Sequence, residues 1–144
     1  MRLTTKGRYA VTAMLDLAFH SQITPVTLTD IATRQTISLS YLEQLFARLR
    51  KAGMVAGVRG PGGGYKLSRA PHEISIAEII AAVDESTDST KCGSKKGCKK
   101  VNEPCLTHDL WMGLSAQIRN HLESISLGDV LSRDPVSEVV MRQI

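Results

Sequence analysis

The sequence contains only three cysteines, one tryptophan, three tyrosines and two phenylalanines. It contains no apolar run approaching the roughly 20 residues that a helix needs to cross a bilayer. That absence excludes a membrane-spanning helix and predicts no membrane partner. The N-terminus, Met1-Arg2-Leu3-Thr4-Thr5-Lys6-Gly7, has no apolar stretch resembling a secretory signal. The expected compartment is therefore cytoplasmic. Three cysteines cannot all pair with one another, and a reducing compartment disfavours disulfides, which leaves metal binding or reactive thiols. Acidic residues are scarce in one half only. Residues 1–70 carry ten Lys/Arg and three Asp/Glu, while residues 71–144 carry eight and eleven, so the net +4 divides into +7 and −3. A basic first half points to a polyanion partner, although the same charges also serve as a solubilising surface. No substrate-site motif appears, and the chain is not expected to be an enzyme. No internal repeat is apparent. A length of 144 residues fits one domain or a compact core with appendages.

The elements that are present follow from spacing. Tyr9, Ala10, Ala13, Met14, Leu17 and Ala18 recur with helical period and predict a helix over 5–21. Thr27 and Asp30 resemble a capping box opening a second, short helix with Leu28, Ile31 and Ala32 on its buried side. Ser38 caps a third, with Ile37 and Leu42 placed as a hydrophobic staple. Leu42, Leu45, Phe46 and Leu49 form its apolar face, and Gly53 ends it. Two short helices across a tight turn suggest helix-turn-helix. Met54–Arg59 and Tyr65–Ser68 then read as strands around the turn Gly60-Pro61-Gly62-Gly63-Gly64, a hairpin wing. The glycine run lacks the lysine and hydroxyl residue of a phosphate-binding loop, and no helix follows it directly. Ser75 and Glu78, flanked by Ile74 and Ile79, open a core helix ending near Glu85. From Pro104 a long helix carries Leu110, Trp111, Leu114, Ile118, His121, Leu122 and Ile125 as one stripe. No later element is large enough to cover that stripe, so a second copy of the chain is favoured over packing within one chain. Ser126 and Asp129 cap a last short turn.

The predicted fold is mainly α with a small β-hairpin: a winged helix-turn-helix plus a long dimerisation helix. A winged helix-turn-helix region is expected over 1–70, a core helix over 71–86, a ligand-binding loop over 87–108, the dimer helix over 104–131 and a flexible tail over 132–144. In such a reader the N-terminal residues of the third helix reach base edges in the major groove. Those residues are Ser38, Ser40, Tyr41, Glu43 and Gln44. Gln44 can bond adenine through two hydrogen bonds, and Glu43 can accept from a cytosine amino group. Arg48, Arg50 and Lys51 are expected on phosphates, and Arg59 before the wing tip in a minor groove.

Between the two halves lies a donor series: Cys92, five residues, Cys98, six residues, Cys105, two residues, His108. Three thiolates and an imidazole make a four-ligand metal set. The residues alone leave zinc and iron both open, because the CxxC pairs of zinc ribbons and ferredoxins are absent. Lys91, Lys95, Lys96, Lys99 and Lys100 surround the series and favour an anionic, thiolate-held group.

Three stretches carry a resemblance: Arg2-Leu3-Thr4-Thr5-Lys6-Gly7-Arg8-Tyr9-Ala10, Ile37-Ser38-Leu39-Ser40-Tyr41-Leu42-Glu43-Gln44-Leu45 and Val58-Arg59-Gly60-Pro61-Gly62-Gly63-Gly64-Tyr65. Together with Cys105-Leu106-Thr107-His108-Asp109-Leu110-Trp111, they closely resemble the IscR family of bacterial iron–sulfur cluster assembly regulators. The resemblance spans roughly residues 1–131. It implies a winged helix-turn-helix homodimer on double-stranded promoter DNA, with cluster-donor proteins as further possible partners. It also implies a 2Fe–2S cluster held by Cys92, Cys98, Cys105 and His108. The implied function is transcription regulation, as repressor and activator, of cluster assembly genes. The alternative is a zinc- or thiol-redox-controlled regulator of the same fold. By the same resemblance, Glu43 corresponds to a residue that separates classes of DNA site.

Overall fold

The computed structural model describes residues 5–83 and 106–132. Cys92, Cys98, Cys105 and the expected tail beyond Ser132 lie outside the described residues. Helix α1 spans Thr5–His20, α2 Leu28–Gln35 and α3 Leu39–Lys51. A hairpin of β1 (Val55–Val58) and β2 (Gly64–Leu67) follows. After a 3-10 turn at Pro71–Glu73 come α4 (Ile76–Ala82), α5 (His108–Ser124) and α6 (Leu127–Ser132).

The helix starts are local devices. Thr27 Oγ1 accepts the Asp30 amide at 3.1 Å, and Ser38 Oγ accepts the Tyr41 amide at 3.1 Å. Ser75 and Glu78 satisfy each other's backbone donors in a complete capping box, and Ser126 with Asp129 repeats it at α6. Each satisfies amides that the first turn leaves unbonded. At the end of α3 the Met54 amide reaches Leu49 O and the Gly53 amide reaches Arg50 O. Gly53 stands at φ 79°, so the closure is a Schellman motif, with glycine supplying the left-handed residue. Helix α4 stops at Ala82 rather than Glu85. Helix α5 starts at His108 rather than Pro104, because Thr107 occupies the N-cap position and accepts the Trp111 amide on its carbonyl at 3.1 Å.

One core unites these elements. Ala10, Ala13, Met14 and Leu17 of α1, Ile31 of α2, and Leu42, Leu45, Phe46 and Leu49 of α3 are fully buried. So are Ile74, Ile79, Val83 and Leu127. In the antiparallel wing Val55 pairs with Leu67 and Val58 with Gly64. A feature absent from the sequence reading adds a third edge: Val26 and Tyr65 exchange backbone hydrogen bonds at 2.9 and 2.7 Å. A Cβ on Gly64 would sit 2.5 Å from Val26 O, so only glycine allows that approach.

A short repeat also escaped the sequence reading. Ile74-Ser75-Ile76-Ala77-Glu78-Ile79-Ile80 matches Ile125-Ser126-Leu127-Gly128-Asp129-Val130-Leu131 in pattern. The two segments clasp each other antiparallel. Ser75 bridges Ser126, the Ile76 amide bonds Ile125 O at 2.9 Å, and the Leu127 amide bonds Ile74 O at 2.8 Å. The His72 ring fills the space that a Cβ on Gly128 would need.

Asp16 is the buried charge of the core, 1% exposed. Arg34 grips it with two hydrogen bonds, at 2.7 and 3.0 Å, and Gln35 adds a third at 2.8 Å. The hydrogen bond to Asp16, opposed by desolvation, raises the Arg34 guanidinium above its ordinary pKa. This group ties α1 to the last turn of α2. Asp16→Asn should cost about 2–3 kcal/mol, slightly below the usual cost of breaking a buried pair because Arg34 keeps some solvent. Urea denaturation reads this as a lower midpoint at unchanged slope. A loss below about 0.5 kcal/mol would mean that solvent satisfies Arg34 instead.

Candidate nucleic-acid interface and metal centre

Burial of one side of α3 leaves the other side outward. Ser40, Glu43, Gln44, Ala47, Arg48, Arg50 and Lys51 are exposed. Ser38 precedes them as N-cap, its hydroxyl 3.4 Å from that of Ser40. This face offers hydroxyl, amide and carboxylate groups near the helix start and cations near its end. Arg50 and Lys51 also complement the negative end of the α3 dipole. The turn that presents α3 depends on Thr36, which adopts φ 55° and ψ 48° and donates its amide to Ala32 O. A β-branched residue in that left-handed region is strained by roughly 1–2 kcal/mol. The signal for it was weak, since the sequence shows only a polar, β-branched break after Gln35.

Two of the expected contact residues also have partners within the chain. Tyr41 is half-buried, with its ring edge-on to Tyr9 at 5.8 Å and 81°. It packs against the core rather than standing free with Glu43 and Gln44. Arg48 is exposed, and its Nη1 donates to the Val83 carbonyl at the C-cap of α4 at 3.1 Å. That bond uses one of the guanidinium's five donors and is compatible with a phosphate contact.

The wing stands beside α3. Its root is held by Tyr65, whose ring meets Phe46 of α3 edge-on at 5.1 Å. Arg59 is exposed where the turn begins. The turn closes with the Gly63 amide on Gly60 O at 2.9 Å. A Cβ on Gly63 would lie 2.3 Å from Val58 O, so a larger residue there would open the wing tip. Lys66, exposed on β2, is a further cation on the wing that the sequence reading did not single out.

Of the expected metal donors, His108 is described. It is the first residue of α5 and is half-buried. Its turn is stiffened by Trp111, whose indole Nε1 donates to Thr107 Oγ1 at 2.8 Å. Among the described residues no group of three or more His, Cys, Asp or Glu is placed to hold a metal ion. The four expected donors still suit a cluster chemically, since thiolates and imidazole both ligate iron in 2Fe–2S centres.

The Rrf2 family, described as "Iron-dependent Transcriptional regulator", matches residues 3–133. The chain belongs to the Rrf2 family. Among curated Rrf2-like relatives it is 59% identical to the HTH-type transcriptional regulator IscR of Aliivibrio salmonicida over 143 residues, 99% of this chain and 84% of that one. It is 60% identical to IscR of Vibrio cholerae, covering 99% and 82%. Among solved structures, T. potens IscR superposes with a TM-score of 0.76 at 38% identity, covering all of this chain and 92% of that one. CymR, the global cysteine regulator of B. subtilis, gives a TM-score of 0.79 at 32% identity, covering 92% and 97%. This Rrf2 chain is thus a DNA-binding transcription regulator of winged-helix fold, and not an enzyme. None of its described helices is long and apolar enough to cross a membrane.

The strain at Thr36 is testable. Asparagine tolerates the left-handed region better, so Thr36→Asn should raise stability by about 0.5–1 kcal/mol. Thermal melting of the variant beside the parent checks this; an unchanged or lower midpoint would mean that the turn relaxes without cost.

Proposed function

We propose that this Rrf2 regulator senses the supply of iron–sulfur clusters and reads palindromic promoter DNA as a homodimer. The DNA half of the reading rests on one observation, the outward polar face of α3 beside a wing that ends in Arg59. In it Gln44 pairs with adenine and Glu43 accepts from a cytosine amino group, with Ser38 and Ser40 alongside. Arg50 and Lys51 neutralise phosphates, and Arg59 enters a minor groove. Arg48, exposed one turn after Gln44, joins Arg50 and Lys51 on phosphates.

The sensing half rests on the donor chemistry of Cys92, Cys98, Cys105 and His108 and on the likeness to IscR. Bound by these residues, a 2Fe–2S cluster would supply a labile inorganic centre whose occupancy follows cluster supply. His108 opens α5, so its imidazole fastens whatever the four donors hold to the first turn of that helix. A neutral imidazole binds iron more weakly than a thiolate does, which favours easy loss.

The homodimer is supported by the N-terminal half of α5. Leu110, Met112 and Leu114 are 61%, 41% and 40% exposed, whereas Leu122 packs on the chain's own core. A second copy laid along that half covers this surface and supplies the two-fold axis of a palindrome. Cluster-donor proteins are the further partners of this reading. A second reading, control by zinc or thiol oxidation on the same fold, is favoured by the similarity to the cysteine regulator CymR.

Protein purified without oxygen decides between them. The first reading expects a red-brown product with iron and acid-labile sulfide in equal amounts, and His108→Cys should hold them more firmly. A colourless zinc protein would replace it with the second. On the DNA side, Gln44→Ala should weaken a selected duplex by about 10- to 100-fold while leaving the salt dependence unchanged. Lys51→Ala should weaken every duplex alike and reduce the log–log salt slope by about one. Equal behaviour of the two variants would sink the assignment of the α3 face.

A further inference from the structure

Leu39 opens α3, between the N-cap Ser38 and Ser40. Its side chain is 41% exposed and lies outside the core cluster. Nothing in the start of the helix calls for leucine there. The cap is made by Ser38 Oγ, which accepts the Tyr41 amide at 3.1 Å. The apolar staple across the cap belongs to Ile37 and Leu42, both buried. The inward face of α3 is filled by Leu42, Leu45, Phe46 and Leu49. Among the described residues of α3, Leu39 is the one large apolar side chain left exposed.

Single exposed leucines are common on protein surfaces; the place of this one sets it apart. Residues four apart are neighbours on a helix surface, so Leu39 stands one turn before Glu43. Side chains of a helix lean towards its N-terminus, the end whose residues meet base edges when a reading helix enters the groove. Four residues climb about 6 Å along the axis, less than two base steps at about 3.4 Å each. Leu39 and Glu43 therefore fall on neighbouring base pairs. The major groove presents donors and acceptors at every base pair and one apolar group, the 5-methyl of thymine.

We infer that Leu39 is a specificity-determining residue that reads the 5-methyl group of a thymine next to the base met by Glu43. The inference deepens the proposed reading of DNA by α3 and rests on it. Contact between leucine and methyl removes apolar surface of both from water. A cytosine at the same place presents its amino group and no methyl, which leaves the leucine against a polar edge.

Replacing thymine by uracil removes that methyl and keeps every hydrogen-bonding group of the base pair. The test measures affinity of the full-length chain for a duplex that the parent selects from a randomised pool, with each thymine replaced in turn by uracil. For the parent, uracil at one thymine of a half-site should weaken binding by about fourfold, the effect of roughly one buried methyl. Leu39→Ala should bind the thymine and uracil forms at that position within about 1.5-fold of each other, which closes a double-substitution cycle. Leu39→Met keeps apolar reach and should retain most of the discrimination. Affinity for a scrambled duplex, the salt slope and the melting temperature should match the parent in both variants. If Leu39→Ala does not fold, Leu39→Ser takes its place.

Uracil that is silent at every thymine in the parent overturns the inference. So does a uracil effect of equal size in the parent and Leu39→Ala, since the methyl then acts through another group or through the shape of the duplex. Equal weakening of the selected and scrambled duplexes by Leu39→Ala overturns it as well. Gln44→Ala is measured on the same duplexes. If it keeps the parent's preference for the selected duplex, the α3 reading fails and takes the inference with it. If it loses that preference, any of the failures above strikes Leu39 alone.

Discussion

Four side chains of α3 have no exposed surface: Leu42, Leu45, Phe46 and Leu49. The presentation of a reading face depends on that burial. Each large apolar side chain contributes roughly 1.5–3 kcal/mol when removed from water. Turning α3 by half a revolution would surrender all four and force Glu43, Gln44 and Lys51 inward without partners. No surface ion pair competes with that sum. The polar face looks outward because the apolar face cannot. The same constraint places the wing, since Tyr65 packs its ring on Phe46 and carries β2 with it.

Burial alone does not set the angle at which α3 leaves α2. That angle comes from polar groups of high specificity. Asp16 holds Arg34 and Gln35 at the end of α2, and Thr36 makes the turn in a conformation it adopts at a cost. A buried carboxylate accepts such a fork only when the donors arrive from one direction, so the pair specifies geometry more than it adds stability. The reader is thus built from two kinds of force: apolar burial chooses the face, and a charged clamp chooses the angle.

The second half of the chain returns to the first through α4. The clasp of two matching segments, each a serine–acid capping box, brings α5 and α6 back against the core. Buried Leu127 and Ile74 close it. Helix α5 is therefore divided. Its C-terminal end belongs to this chain's core, while Leu110, Met112 and Leu114 stay outward. The C-terminal half is a core helix, and the outward N-terminal half is the surface that the proposed homodimer would cover. His108 opens the outward half, so the proposed metal donor and an open apolar surface share the same turns.

Much of this was written in short stretches of sequence. Thr27, Ser38, Ser75 and Ser126 announced helix starts, and Gly53 announced a helix end. The hairpin followed from its glycines, and the face of α3 from a simple period. These features rest on contacts between residues three to five apart, so neighbours in sequence are sufficient to determine them. The donor series Cys92, Cys98, Cys105 and His108 was equally visible as chemistry. Other features had partners too remote to read. Asp16 lies 18 residues from Arg34, Arg48 lies 35 from Val83, and Val26 reaches Tyr65 across the whole helix-turn-helix. The Val83 carbonyl as a partner of Arg48 could not be read from the stretch around either residue. The sequence by itself determined the helices, their caps and the side of α3 that must be buried, because those depend on periodicity and adjacent residues. Tertiary structure alone decided which charged groups find partners inside the chain, because a side chain's partner is set by the elements that the fold packs against it.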